Sequence, residues 1–105
     1  MALRPPRNLR LENGASVLDY ELLGEKAATL GRLGERAAAA VARVNAAEPG
    51  DAVRRVLVDE AAEAVWCYFI QRELCGFRDH RLVTAELKIP RAVLVRLGAT
   101  PRRQP

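Results

Sequence analysis

A chain of 105 residues with a net charge of +4 has room for one domain, and at that size folding buries about two-thirds of the unfolded surface. Its longest fully apolar run, residues 64–70, falls far short of the roughly 20 residues a bilayer-crossing helix needs. Cys67 and Cys75 are eight residues apart, about 12 Å along a helix axis, which excludes a disulfide between them. Both read as free thiols, and with no apolar signal segment behind the first basic residues, the expected setting is a reducing cytoplasm.

Charge is unevenly spread: +2 over residues 1–15, −1 over 16–48, −2 over 49–76 and +5 over 77–105. Basic ends of this kind more often solubilise a chain than grip nucleic acid. Residues 1–15 read as a flexible basic arm. Pro5-Pro6 blocks helix there, and Asn13-Gly14 is turn chemistry. Leu9 and Leu11 alternate with Arg10 and Glu12, the pattern of an extended piece laid on a neighbour.

Ser16, with Asp19 three residues on, predicts the N-cap of a helix over 16–47. A heptad spacing of Tyr20, Leu23, Ala27, Leu30, Gly34, Ala37, Val41 and Val44 gives it one apolar stripe. Gly24, Gly31 and Gly34 are costly in a helix interior, up to about 1 kcal/mol each. They make room for a bulky neighbour, and Trp66 on an antiparallel partner is the expected one. The alternative is a bend or break near Gly31–Gly34.

Glu48-Pro49-Gly50 predicts a turn, Asp51 an N-cap, and residues 52–75 a second helix stopped by Gly76 with Phe77 behind it. So short a connection makes the two helices antiparallel. Val53, Leu57, Ala61, Ala64, Tyr68 and Cys75 share one side of a helical wheel. Trp66, Phe69 and Ile70 lie off that side, so the second half of this helix is apolar all round and must be covered all round. Two coverings are open: the chain's own C-terminal segment, or a second copy. Trp66, Phe69 and Ile70 are therefore the candidate protein interface. Arg72 points inward and is expected to meet Asp19, Glu21 or Glu25.

Asp79 predicts a cap for a third helix over 80–87, with Leu82, Val83 and Leu87 on its apolar side. Lys88-Ile89 is a turn. Pro90 suits the first position of a fourth helix over 90–97, with Val93, Leu94 and Leu97 inward and Gly98 as its stop. Residues 100–105 form a basic tail. The fold expected is all-α: a single helical domain over 16–99, built as a long antiparallel hairpin plus two short C-terminal helices, with a four-helix-type bundle formed on dimerisation.

Chemistry is sparse. Cys67, Glu73, Cys75 and His80 lack the paired ligand spacing of a zinc site. A cysteine at a helix C-terminus is poorly placed to be a thiolate. No Ser-His-acid set, paired catalytic carboxylates or phosphate-cradling loop stands out, so no catalytic residue, metal, cofactor or small-molecule ligand is expected. Residues 83–97 resemble the helix-turn-helix of Fis-type DNA-binding proteins in the rhythm of Ala85, Leu87, Ile89, Arg91, Leu94 and Arg96. That resemblance implies nucleic-acid contacts from Arg91 and Arg96. Lys88 stands where the tight-turn glycine of that motif is expected, and the second helix is short for reading bases.

A wider resemblance rests on Leu18-Asp19-Tyr20-Glu21, Val65 through Gly76, Arg78-Asp79, Ile89-Pro90-Arg91 and Leu97-Gly98. Over residues 16–99 the chain is similar to a family of small bacterial proteins of unknown function. The resemblance implies a helical cytoplasmic protein and brings no activity with it. The reading that follows is a non-enzymatic interaction or structural module acting as a homodimer, with DNA binding through residues 80–97 as the alternative.

Overall fold

A computed structural model describes the backbone of residues 14–98 and the side chains of residues 17–98. Residues 1–13 of the expected arm and all of the expected tail lie outside them. Among the described residues the chain is all-α, with α1 at Gly14–Ala46, α2 at Ala52–Leu74, α3 at Arg81–Leu87 and α4 at Arg91–Leu94. None of these helices is long and apolar enough to cross a membrane.

The first helix begins at Gly14, so Ser16 stands inside it rather than capping it, and residues 14 and 15 belong to the helix rather than to the arm. α1 runs unbroken through Gly31 and Gly34. Asp51 caps α2, its Oδ1 accepting the Val53 N–H at 3.0 Å. The far end of α2 closes as a Schellman turn: the Gly76 N–H reaches the Glu73 carbonyl at 3.0 Å and the Phe77 N–H the Arg72 carbonyl at 2.8 Å. Gly76 takes a φ of +99°, a region open to glycine and costly for a residue with a Cβ.

The hairpin is held by small side chains. Ala37, Ala40, Val41 and Val44 of α1 meet Val58, Ala61, Ala62, Ala64 and Val65 of α2, all buried. Ile89 and Val93 from the C-terminal segment close the same core, and Phe69 is its one aromatic member. The largest side chains buried completely are valines. Each contributes about 1.5–3 kcal/mol by leaving water, so the core depends on close approach more than on bulk.

Gly34 is where the approach is closest. A Cβ built there would stand 3.1 Å from the Tyr68 ring. Tyr68, and not Trp66, is therefore the bulky neighbour, because the antiparallel register sets residue 68 beside residue 34. Trp66 lies instead against Gly98, whose added Cβ would come within 3.2 Å of the indole. α4 is also shorter than the expected 90–97. Beyond Leu94 the backbone tightens, with Arg96 N–H bonding to the Val93 carbonyl and Leu97 N–H to that of Leu94. This tightening, with Gly98 at φ +75°, brings the chain in against the indole.

α1 has 33 residues and α2 has 23, about 50 Å against 35 Å. The two helices share the turn at residues 47–51, so the surplus falls at the N-terminal end of α1. Residues 17–28 are exposed throughout.

The glycines of α1 separate two effects. Gly31 has nothing within 4 Å of an added Cβ, so Gly31→Ala should raise stability by about 0.5–1 kcal/mol through helix propensity alone. Gly34→Ala should lose that gain to the Tyr68 ring. Urea denaturation of the two variants checks the contrast.

Candidate functional site

The densest polar arrangement joins the end of α2 to the start of α3. Phe69, 8% exposed, stacks on the His80 imidazole with ring centroids 4.1 Å apart and planes 8° from parallel. Arg72 Nε donates to His80 Nδ1 at 3.0 Å, and Arg72 Nη2 donates to the Asp79 carbonyl at 2.9 Å. A guanidinium can only donate, so Nδ1 is the acceptor and the ring proton sits on Nε2. That Nε2–H reaches Glu73 Oε2 at 3.0 Å. The guanidinium carbon also lies 5.3 Å from the centroid of the Phe77 ring and 6.0 Å from that of Tyr68.

Arg72 thus does not meet Asp19, Glu21 or Glu25. Its level on α2 is that of Leu30 on α1, reckoned from the Tyr68–Gly34 contact. The three acids lie on the stretch of α1 beyond it, Asp19 roughly 16 Å further along the axis. Arg72 instead fastens the residues following α2. The Schellman turn brings Phe77 back over the residue at its own third-from-last position, which here is Arg72, so the usual apolar contact of that motif becomes a cation–π one.

A Glu–His pair invites a catalytic reading, and the geometry opposes it. Nδ1 is taken by Arg72 and Nε2 by Glu73, so neither nitrogen is free to move a substrate proton. Cys67 and Cys75 are half-buried free thiols, and Cys75 Sγ accepts only a long contact of 3.9 Å from Gln71 Nε2. Among the described residues no three His, Cys, Asp or Glu side chains are grouped to hold a metal ion.

Asp79 works at the entry to α3. Its Oδ1 accepts the Arg81 N–H at 3.0 Å, and its carboxylate pairs with the Arg81 guanidinium at 2.8 Å. The side-chain hydrogen bond from Arg81, followed by the backbone one, holds the Asp79 carboxyl well below the usual carboxylate range.

The expected interface residues do not form one open face. Phe69 is covered by His80 within the chain, while Trp66 and Ile70 remain 40% and 38% exposed. The chain's own C-terminal segment supplies the covering, over Phe69 and one edge of the indole. Exposed apolar surface is concentrated elsewhere. Val17, Leu18, Tyr20, Leu22 and Leu23 stand 39–61% exposed on the free stretch of α1, with Leu74 and Phe77 at the end of α2 beside it. Where α2 stops, a groove of about 240 Å³ is lined by Leu23, Lys26, Ala27, Leu30, Leu74, Cys75 and Phe77.

The helix-turn-helix segment keeps its turn. Lys88 adopts φ 58° and ψ 46°, the left-handed conformation a glycine would supply, at a cost of roughly 1–2 kcal/mol. Asn45 Nδ2 donates to its carbonyl at 3.0 Å, and Ile89 N–H bonds to the Thr84 carbonyl. The second helix is only Arg91–Leu94, with Val93 fully buried. Arg96 Nε lies 2.6 Å from Asp59 Oδ1, an ion pair against α2 in which the N–H is poorly aligned with the contact. Arg91 is exposed and has no side-chain partner among the described residues. Beside α4 an open depression of about 580 Å³ is bordered by Arg54, Arg55 and Arg96.

Residues 3–104 match the model of a family of unknown function, DUF6665. No curated protein and no solved structure matches the chain.

Two contrasts test the cluster. Phe69→Ala should cost about 3 kcal/mol or more, and Trp66→Ala about half as much because part of the indole already meets water. Chemical denaturation ranks them. For Asp79, whose carboxyl is depressed, the stabilising contribution is present above the ordinary carboxylate range and lost as pH falls through the folded value. Both partners are largely exposed, so the effect is small. The stability curves of wild type and Asp79→Asn should converge on acidification.

Proposed function

The chain belongs to DUF6665, a family of unknown function, through residues 3–104, and from its geometry we propose that it is a non-enzymatic helical interaction module working as a homodimer. One observation carries the reading. α1 outruns α2 and holds Val17, Tyr20 and Leu23 out in water at 39–57% exposure, on a stretch whose heptad spacing continues the stripe that α2 covers lower down. A patch of this kind on a small protein marks a contact surface, and closed two-fold pairing is the commonest way for one chain to supply its own partner. The engaged nitrogens of His80 support the non-enzymatic part. Two free thiols suit a reducing cytoplasm.

Sedimentation equilibrium tests it. The wild type should be dimeric at micromolar concentration, and a Tyr20→Glu, Leu23→Glu double variant should be monomeric with its helical circular dichroism retained. A wild type that stays monomeric at high concentration ends the proposal.

A nucleic-acid reading has one observation in its favour. Arg54 and Arg55, without side-chain partners among the described residues, border the same depression as Arg96 and adjoin α4. Such a surface would hold duplex phosphate in a salt-dependent way. Retention on duplex DNA that falls with salt and is weakened by Arg91→Ala and Arg96→Ala would favour it. Absence of retention at low salt disposes of it.

A further inference from the structure

We infer that the second copy lies antiparallel on the free stretch of α1, its own α1 taking up the line that α2 leaves, with the two-fold axis beside Tyr20 and Leu23. This rests on the self-pairing proposed above and specifies its geometry.

The groove where α2 stops sets the direction. It is lined by Leu23, Ala27 and Leu30 of the α1 stripe and closed at one end by Leu74 and Phe77. A helix laid on that stripe from the free end must terminate at this wall. The described part of α1 starts at Gly14, and in an antiparallel pair with Tyr20 on the partner's Leu23 that end comes level with the partner's wall. In a parallel pair the partner's α1 would continue through the level of Ala27 and Leu30, where Leu74 and Phe77 already stand. The antiparallel arrangement is the less obstructed of the two.

Charge selects the same arrangement. With Tyr20 and Ala27 at a positions and Leu23 and Leu30 at d, Asp19 and Lys26 are both g residues, flanking the seam. Antiparallel helices oppose g to g. With Tyr20 of one copy packed on Leu23 of the other, Asp19 falls within reach of the partner's Lys26, twice by symmetry. Parallel helices oppose g to e, and the e positions here are Val17, Gly24 and Gly31, which offer no charged partner. Neither Asp19 nor Lys26 has a side-chain partner among the described residues, so both are available.

The exposed apolar surface sets the upper limit of the area. Val17, Tyr20, Leu23, Leu74 and Phe77 are 39–65% exposed, and together bring roughly 500 Å² of apolar surface per copy when scaled to full side-chain areas. Apolar atoms make up about 60% of an ordinary interface, so complete burial of this surface would match the apolar part of the roughly 800 Å² per partner of a stable complex. Leu18 and Leu22 sit at the f and c positions on the other side of the helix and take no part.

A charge-swap cycle followed by sedimentation equilibrium tests the geometry. Asp19→Lys alone and Lys26→Asp alone each set like charges opposite one another twice, and should weaken dimerisation roughly tenfold. The chain carrying both swaps should regain wild-type affinity, and Leu22→Glu should leave it unchanged. All these positions are exposed, and circular dichroism confirms that each variant is folded. A wild type that dimerises while the single swaps have no effect, or while Leu22→Glu dissociates it, overturns the antiparallel seam and leaves self-pairing standing. A wild type with no dimer overturns both.

Discussion

Two helices meeting across alanine, glycine and valine is the constraint on which the rest of the fold depends. Small side chains let the axes come close, and the Tyr68 ring seated on Gly34 fixes how one helix is set along the other. That register decides everything above and below it. It places Arg72 near Leu30 and out of reach of the acids at the start of α1. It also leaves the surplus length of α1 at the end away from the turn. A hairpin whose fully buried side chains are no larger than valine gains little per residue, so it is thinly held alone. Ile89 and Val93, both buried, complete it from the C-terminal segment.

Arg72 is the second organising element. It bonds His80 and the Asp79 carbonyl and lies over Phe77, so one side chain fixes the reversal after α2 and the entry into α3. His80 is in turn oriented by Glu73 and stacked on Phe69. Both imidazole nitrogens are engaged and Arg72 donates twice, and a network of this kind specifies geometry. What looks like a fragment of catalytic machinery is better understood as the fastening that carries the C-terminal segment back over α2.

Much of this was legible in the chain. Asp51, Gly76 and Asp79 act locally, through hydrogen bonds that span two to five residues, and they placed α2 and α3 to within a residue. The wheel predicted a covering for Trp66, Phe69 and Ile70; Phe69 has one, while Trp66 and Ile70 stay 40% and 38% exposed. What it missed shares one cause. The bulky neighbour of Gly34 and the partner of Arg72 both depend on how far one helix is shifted along the other, and periodicity within a helix holds no information about that shift. The His80–Phe69 stack depends on the path of residues 75–80 and was invisible for the same reason. Ser16 marked the start of α1 in the sequence, yet Gly14 and Ala15 are already helical. The shortened α4 reflects tightening of its last turn against the indole. The unpaired length of α1 did have a signal, the unequal lengths predicted for the two helices, together with the heptad at Tyr20, Leu23 and Ala27.

The contact between Trp66 and Gly98 has a practical corollary. Trp66 is the chain's sole indole, so intrinsic fluorescence comes from one place, and that place is where the end of the described chain lies on the hairpin. Far-ultraviolet ellipticity, by comparison, is dominated by the two long rods. Emission and ellipticity therefore watch different parts of the molecule. Any lag between them during unfolding would date the undocking of the C-terminal segment relative to the melting of the hairpin beneath it.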